Sequence, residues 1–250
     1  ALALRALGHS KLLSFFAEDL SDPSSLGVIA VDFVPNPIAT FGRNTVSEVM
    51  TLINDDLTRA ETLFTSAGTN ASQNFIDAKF VRALRARMAL YTKDYPTAVL
   101  AANSVLSSYS FPTSANEAAY SQIWQNVPGS GPGEVIFKFN STLNNGSRPG
   151  QIYNTNASNI DGAVNYEMSR NLFDVLDANA TAFGDIRRNV FLDDTSVVSL
   201  DYSAEANPRT GDVLIVDKYP GNPSFSGLVA CYTNDIQVIR VAEMAFVLEY

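Results

Sequence analysis

Few residues in this chain could carry out catalysis through a nucleophile or a metal. The sequence contains one histidine, His9, and one cysteine, Cys231. A single histidine excludes sites built from several histidines and argues against a Ser-His-Asp triad, which depends on the mutual geometry of its members. A single cysteine excludes an intramolecular disulfide and a zinc site made of cysteines. The sequence therefore predicts no metal and no cofactor.

Pairs of carboxylates are a second source of chemistry, because glycoside hydrolysis needs only two of them. The chain offers three such pairs: Asp193 with Asp194 in a predicted turn, Asp55 with Asp56 on the polar edge of a predicted helix, and Asp174 with Asp177 on a predicted surface. No barrel or cleft signature accompanies them. We interpret them as solvated acids and predict that the chain is not an enzyme, with a hydrolase as the less favoured alternative.

Aromatic residues beside amides provide the chemistry of ligand capture. Aromatic faces stack on the C–H faces of sugar rings, while amides and acids satisfy hydroxyl groups. Tyr153, with Gln151 and Asn154 close by, fits this pattern best, and Tyr166 and Tyr202 come next. Each of these residues could instead anchor its own loop to the body of the protein. The sequence leaves both interpretations open.

Trp124 is the only tryptophan and would also be suited to a binding site. It follows Tyr120 at helical spacing, however, and large apolar side chains in that position are usually buried. We therefore predict that Trp124 lies in the core.

Composition excludes several other classes of protein. The chain has 250 residues, a formal net charge of −9 and 17% charged residues. An acidic chain repels phosphate backbones and no basic patch offsets that repulsion, so we predict no nucleic-acid partner. The sequence has no apolar run of the roughly 18 residues that would indicate a transmembrane helix. Its hydrophobic content of 46% is sufficient for a substantial core.

The first part of the chain has the periodicity of helices. Residues 1–18 place Leu4, Leu7, Leu12, Phe15 and Phe16 on a broad apolar face. A connector broken by prolines follows. Thr45 and Glu48 then form a capping-box pattern before a helix that is predicted to end near residue 65. Further helices are predicted over 75–91 and from Lys93-Asp94 onward, with alanines spaced for close packing.

The alanine-rich pattern is typical of stacked helical hairpins, in which neighbouring backbones approach closely. The segment Asp56–Ala60 (DLTRA) is echoed by Asp94–Ala98 (DYPTA), 38 positions further along. A tetratricopeptide unit is about 34 residues long, so the echo fits a repeat with a slightly longer turn. We predict a mainly α fold on a tetratricopeptide-like helical repeat scaffold.

After residue 109 the pattern changes to a loop-rich region with short strands. Short helices are predicted over 116–126 and 167–178, strands over 134–139, 190–192, 197–200 and 213–217, and a final helix over 238–250. The stretch 140–165 is polar and carries aromatics, and long polar loops in compact domains are often functional. We therefore predict a helical region over 1–109, a loop-rich ligand-binding region over 110–237 and the start of a further scaffold helix over 238–250.

Several of these segments together resemble the SusD/RagB family of outer-membrane nutrient-binding lipoproteins. The matching segments occur in the family's order over nearly the whole chain: 1–16 (ALALRALGHSKLLSFF), 43–63, 78–106, 134–140 (EVIFKFN), 183–191 (FGDIRRNVF), 217–221 (DKYPG) and 238–250. Family members are about twice this length, so the resemblance identifies the chain as a central fragment. It implies that Arg5, Arg87, Arg240 and Glu243 pair between helices.

The resemblance also implies a function and a location. Family members have no catalytic residues and sit on the outer surface of Gram-negative bacteria. They deliver glycans or other nutrients to a SusC-like TonB-dependent transporter. They are anchored through a lipidated cysteine that this chain does not contain and to which Cys231 does not correspond. The alternative is a helical-repeat module that binds another protein and no glycan.

Overall fold

The computed structural model describes residues 1–68, 72–109, 116–124, 134–142, 166–219 and 233–249. The chain forms two compact units: Ala1–Ser110 with Val238–Tyr250, and Phe111–Gln237. The first unit contains helices α1 (Leu2–Phe16), α2 (Val46–Ala67), α3 (Ala78–Tyr91), α4 (Tyr95–Leu106) and α9 (Val241–Val247). The second contains α5 (Glu117–Gln122), strand β1 (Val135–Phe139), α6 (Arg170–Phe183), α7 (Arg187–Phe191) and α8 (Pro208–Gly211).

The first unit is built from two helical hairpins. Helix α1 packs against α2, α3 packs against α4, and α9 packs against both α3 and α4. Ala83 and Ala86 of α3 and Ala98 and Ala102 of α4 are all buried. Their small side chains allow the backbones to approach closely, as stacked hairpins require. The predicted mainly helical, tetratricopeptide-like architecture is therefore confirmed. Among the described helices, none is both long and apolar enough to cross a membrane.

Helix α2 begins where its capping box predicts. The Thr45 hydroxyl accepts a hydrogen bond from the Glu48 amide at 3.3 Å, and the Glu48 carboxylate accepts one from the Thr45 amide at 2.8 Å. The hydrogen bond from the Thr45 amide is the main cause that holds the pKa of Glu48 below its ordinary value. Two amides that have no partner within the helix are thus satisfied.

Replacing Thr45 with alanine is expected to lower the free energy of unfolding by about 1 kcal/mol, because the first turn of α2 loses its side-chain cap. Urea denaturation followed by circular dichroism measures the change. Thr62→Ala on the same helix is the control, since the Thr62 hydroxyl only bonds to the Thr58 carbonyl on an exposed face. Equal losses in the two variants would show that the cap contributes nothing specific.

Helix α1 presents a different face to the unit than its sequence suggests. Ala3, Ala6, Leu7 and Leu13 are buried. The other members of the predicted apolar face, Leu4, Leu12, Phe15 and Phe16, are exposed, and Phe15 retains 76% of its accessible surface. Of the five residues on the predicted apolar face, only Leu7 is buried. The small alanines allow close contact with α2. An ion pair between Arg5 and the buried Asp56 of α2 keeps this face of α1 packed against α2.

The five-residue echo does not mark equivalent positions in a repeat. Asp56 lies in the middle of α2, whereas Asp94 precedes α4 and its carboxylate accepts a hydrogen bond from the Thr97 amide. The two aspartates therefore have different roles: one forms an ion pair and the other caps a helix.

The second unit has short elements linked by single bridges. A 3₁₀ turn spans Tyr202–Ala204, and isolated antiparallel bridges join Glu167 to Ile215, Leu192 to Val216 and Val197 to Val213. The strands predicted over 197–200 and 213–217 are thus reduced to isolated bridge residues. Strand β1 agrees with its prediction and forms a two-stranded sheet with β2 (Ile236–Arg240).

Two segments have a different secondary structure from the one predicted. The strand predicted over 190–192 is wrong, because Val190 lies in α7 and its amide donates to the Ile186 carbonyl. The final helix begins at Val241 and not at 238, because Val238 and Ile239 belong to strand β2. In both cases packing and backbone pairing outweigh the intrinsic preference of the segment. The chain passes from the second unit back to the first within β2.

Two apolar clusters lie in the described part of the second unit. One contains Ile123, Trp124, Val135 and Val190, and the other contains Met168, Phe173, Leu176 and Leu214. The second cluster lies along α6, whose carboxyl end is closed by Gly184 in the left-handed conformation at φ 69°. Glycine adopts this conformation without strain, which ends the helix at Phe183.

Candidate functional site

An exposed tyrosine lies in a hydrogen-bonded turn of the second unit. Tyr202 opens the 3₁₀ turn, and its side chain is 46% exposed. The preceding Asp201 carboxylate accepts hydrogen bonds from the Ser203 hydroxyl at 2.6 Å and from the amides of Ser203 and Ala204. The bond from the Ser203 hydroxyl is the chief reason that the pKa of Asp201 lies below its ordinary value. The backbone of Tyr202 is therefore held by its neighbours.

Arg170, the first residue of α6, supports this tyrosine. Its guanidinium carbon lies 5.6 Å from the centroid of the Tyr202 ring and 5.0 Å from that of Phe173. The guanidinium donates to the carboxylates of Asp174 and Asp212, each at 2.8 Å, and to the Ser199 carbonyl at 3.1 Å. Burial opposes the charge of Arg170, but the two acids outweigh it and raise its pKa.

We call Arg170 and Tyr202 the Arg170–Tyr202 platform. A cation over a ring is an attractive arrangement, and here the cation is itself held by two acids. The Asp212 carboxylate is buried and also accepts from the Ser199 amide, so it cannot easily move away. The platform can offer aromatic surface to a ligand, and the Ser203 hydroxyl lies in the same turn. Sequence reasoning missed Arg170, although its spacing of four from Asp174 in a predicted helix was a visible signal.

Tyr166 lies on a separate segment. Its side chain is 63% exposed, and it directly precedes Glu167, which forms a bridge with Ile215. The other three candidates for ligand contact, Gln151, Tyr153 and Asn154, lie outside the described residues. Their role remains a prediction.

Trp124 lies in the core cluster and is 7% exposed. Its ring makes edge contacts with the rings of Tyr120, Phe191 and Tyr219, at centroid distances of 5.9 to 6.2 Å. The Lys218 ammonium lies 4.3 Å from the centroid of the Trp124 ring. The indole is thus surrounded by groups of its own chain and offers no free face to a ligand.

Ion pairs between helices involve the assigned residues Arg5, Arg87 and Glu243. Arg87 of α3 donates to Glu243 of α9 at 2.5 and 2.6 Å and to the Val238 carbonyl at 2.9 Å. Arg5 of α1 donates twice to Asp56 of α2, both at 2.7 Å. Arg240 is the last residue of β2, immediately before α9.

Several of the candidate catalytic groups, including His9, Asp174 and Asp177, have structural partners. The ring of His9 is buried, contacts the Arg5 carbonyl through Nδ1 and accepts from the Val31 amide through Nε2. Asp174 pairs with Arg170 and Asp177 with Arg188. In the described part of the chain, no group of three histidine, cysteine or acidic side chains could hold a metal ion.

One titratable group was not singled out from the sequence. The carboxyl of Asp217 is partly buried, and burial together with the charges of Asp193 and Asp194 raises its pKa to about 7. The bridge between Leu192 and Val216 brings these acids together, because it places residues 191–193 beside 215–217. Only long-range pairing creates this cluster, so local sequence patterns give no signal for it.

No family model matches the sequence, and no curated protein matches it. Among solved structures, a SusD superfamily protein from Bacteroides thetaiotaomicron matches with a TM-score of 0.72 and 20% identity, covering 98% of this chain and 52% of that one. A SusD-like carbohydrate binding protein from Bacteroides vulgatus matches with a TM-score of 0.73 and 20% identity, covering 98% and 48%.

A laminarin binding SusD-like protein also matches, with a TM-score of 0.60 and 16% identity, covering 98% of this chain and 58% of that one. The chain thus spans about half the length of the solved structures that it matches. These likenesses establish a SusD-like fold for this chain. The resemblance seen in the sequence and the likeness of the structure agree.

Proposed function

We propose that this chain is part of a non-catalytic protein that binds glycans through its loop-rich unit. The observation that carries the proposal is the Arg170–Tyr202 platform, a half-exposed aromatic ring that lies beside the Arg170 guanidinium on a hydrogen-bonded turn. Rigid aromatics bind sugars well, because stacking costs little conformational entropy when the ring is already in place. Two of the similar structures bear the descriptions carbohydrate binding and laminarin binding, which supports the same class of ligand.

Affinity electrophoresis against a panel of soluble polysaccharides that includes laminarin tests the proposal. We expect at least one polysaccharide to retard the protein, and Tyr202→Ala to raise the apparent dissociation constant about ten-fold, as the loss of an aromatic anchor does. Tyr202→Phe should bind as the unchanged protein does, because it keeps the ring over Arg170. Tyr153→Ala tests the candidate that lies outside the described residues.

Tyr95→Ala is the matched control, because Tyr95 is 45% exposed but lies on α4 of the helical unit. If a polysaccharide retards the Tyr202→Ala and Tyr95→Ala variants as strongly as the unchanged protein, glycan binding would stand, but the platform would be refuted as the binding site. The absence of retardation by every polysaccharide would refute glycan binding and favour a different nutrient or a protein ligand.

We further propose that the protein acts at the outer surface of a Gram-negative bacterium and passes its ligand to a SusC-like TonB-dependent transporter. The support for this step is the sequence resemblance together with the SusD-like fold. Co-purification of the full-length protein with a transporter encoded beside it would test the partnership. Separation of the two proteins on size-exclusion chromatography would count against it.

A protein-interaction module without glycan binding is the second candidate. It is favoured by the exposed apolar side chains of α1 and the connector after it, among them Phe15, Phe16, Val34 and Ile38. Exposed apolar groups of this kind often mark protein contacts. Binding of the transporter that is lost in a Phe15→Ser, Phe16→Ser variant, together with no retardation by any polysaccharide, would favour this candidate.

A further inference from the structure

The helical unit contains a pocket that the glycan platform does not use. Its volume is 260 Å³. One wall is a stripe of α2 residues at steps of three and four, Ser47, Met50, Thr51 and Asn54. The rest of the lining comes from the turn after α1, with Leu20, Ser21 and Pro23, from Val46 at the start of α2, and from Thr92 after the end of α3. All of these residues belong to the first unit.

The lining combines hydrogen-bonding groups with apolar surface and carries no charge. None of the lining residues has an ionisable acidic or basic side chain. The carboxylates of Asp19 and Asp22 flank the turn, where they accept hydrogen bonds from Ser21 and Ser24. Their negative charge disfavours an anionic ligand. Leu20, Pro23 and Met50 supply apolar contact area.

Two polar groups in the pocket have no partner in the described part of the chain. The Ser47 hydroxyl and the Asn54 side-chain amide make no hydrogen bond there. The hydroxyls of Thr51 and Thr92 donate to helix carbonyls, so their oxygens can still accept. Donors and acceptors are thus both present in the lining, beside apolar surface.

We propose that this pocket binds a neutral, polyhydroxylated small molecule of the size of one hexose ring. Its volume lies just below the roughly 300–1,000 Å³ of pockets for drug-sized ligands, which suits a single ring. Hydroxyl groups of the ligand would form hydrogen bonds with Ser47 and Asn54, and the C–H faces of its ring would contact Met50 and Leu20. Because the pocket and the platform lie in different units, this proposal does not depend on glycan binding by the platform.

Methyl NMR of methionine provides a direct test, because the chain has four methionines. Met50 lines the pocket and is partly exposed, whereas Met88, Met168 and Met244 are buried. We expect millimolar glucose, galactose or N-acetylglucosamine to shift the Met50 methyl signal in a saturable way and to leave the other three unchanged. Met50→Leu assigns the signal.

Thr51→Trp should fill the pocket and abolish the saturable shift. Thr65→Trp is the matched control, because Thr65 is exposed at the far end of α2 and its hydroxyl makes the same bond to the carbonyl four residues earlier. It should leave the shift intact, as should Tyr202→Ala. A Met50 signal that none of the three sugars moves, or a shift that survives Thr51→Trp, would overturn the proposal.

Discussion

Glu243→Ala is expected to lower the free energy of unfolding of the helical unit by about 3 kcal/mol, because it leaves the Arg87 guanidinium charged and without its carboxylate in a buried position. The Arg87 side chain is 10% exposed and that of Glu243 is 33% exposed. Burial alone would lower the pKa of Arg87, and the bond to Glu243 reverses that effect. Urea denaturation followed by circular dichroism at a fixed pH measures the loss.

Glu61→Ala is the control for this prediction. Glu61 pairs with Arg82 at 2.6 Å, but both side chains are about one third exposed, so the loss should stay below about 1 kcal/mol. A double variant, Arg87→Met with Glu243→Met, should recover much of the stability, because it removes both buried charges. Equal losses in Glu243→Ala and Glu61→Ala would contradict the role of burial.

Asp217→Asn is expected to stabilise the second unit at pH 8 and to leave it nearly unchanged at pH 4. The folded protein holds the Asp217 proton up to a pKa of about 7, whereas the ordinary value is 3.8. The unfolded chain therefore binds fewer protons between these values, and the stability of the unchanged protein falls as the pH rises from about 4 to 7. Asparagine avoids this loss, and we expect a gain of about 2 to 4 kcal/mol above pH 7.

Denaturation curves at several pH values between 4 and 8 test the expected direction of this pH dependence. Asp55→Asn, at an exposed position of α2, is the control and should show no such dependence. A gain from Asp217→Asn that is the same at pH 4 and pH 8 would point to a change in packing and not to the carboxyl charge. A loss at pH 8 would contradict the prediction.

The parts of the fold that were predicted correctly are specified by local signals. The capping box at Thr45 and the steps of three and four that follow it place α2, and the alanines of α3 and α4 indicate close packing. The run from Val135 to Phe139 has the composition of a strand and is one. Each of these signals lies within a few residues of the element that it specifies, so no knowledge of distant contacts is needed.

The features that were missed depend on contacts between distant segments. Helix α1 has two faces that could be buried, and the ion pair of Arg5 with Asp56, 51 residues away, selects one. The cluster around Asp217 exists only because residues 191–193 and 215–217 are paired. The platform required Arg170 and Tyr202 to meet, which their spacing in the sequence does not predict. Sites formed by residues that are distant in the sequence can be recognised only in a three-dimensional structure.

The Arg87–Glu243 ion pair has a consequence for how such proteins can diversify. Its two residues are 156 positions apart, and the whole second unit lies between them as an insertion into the helical unit. The entropic cost of closing a flexible loop grows slowly, by about 0.6 kcal/mol for each doubling of its length. Because this cost is small, the packing of α9 against α3 and α4 tolerates large changes in the inserted sequence. Loops can be lengthened, shortened or exchanged, and new ligands acquired, while the helices that carry them stay the same.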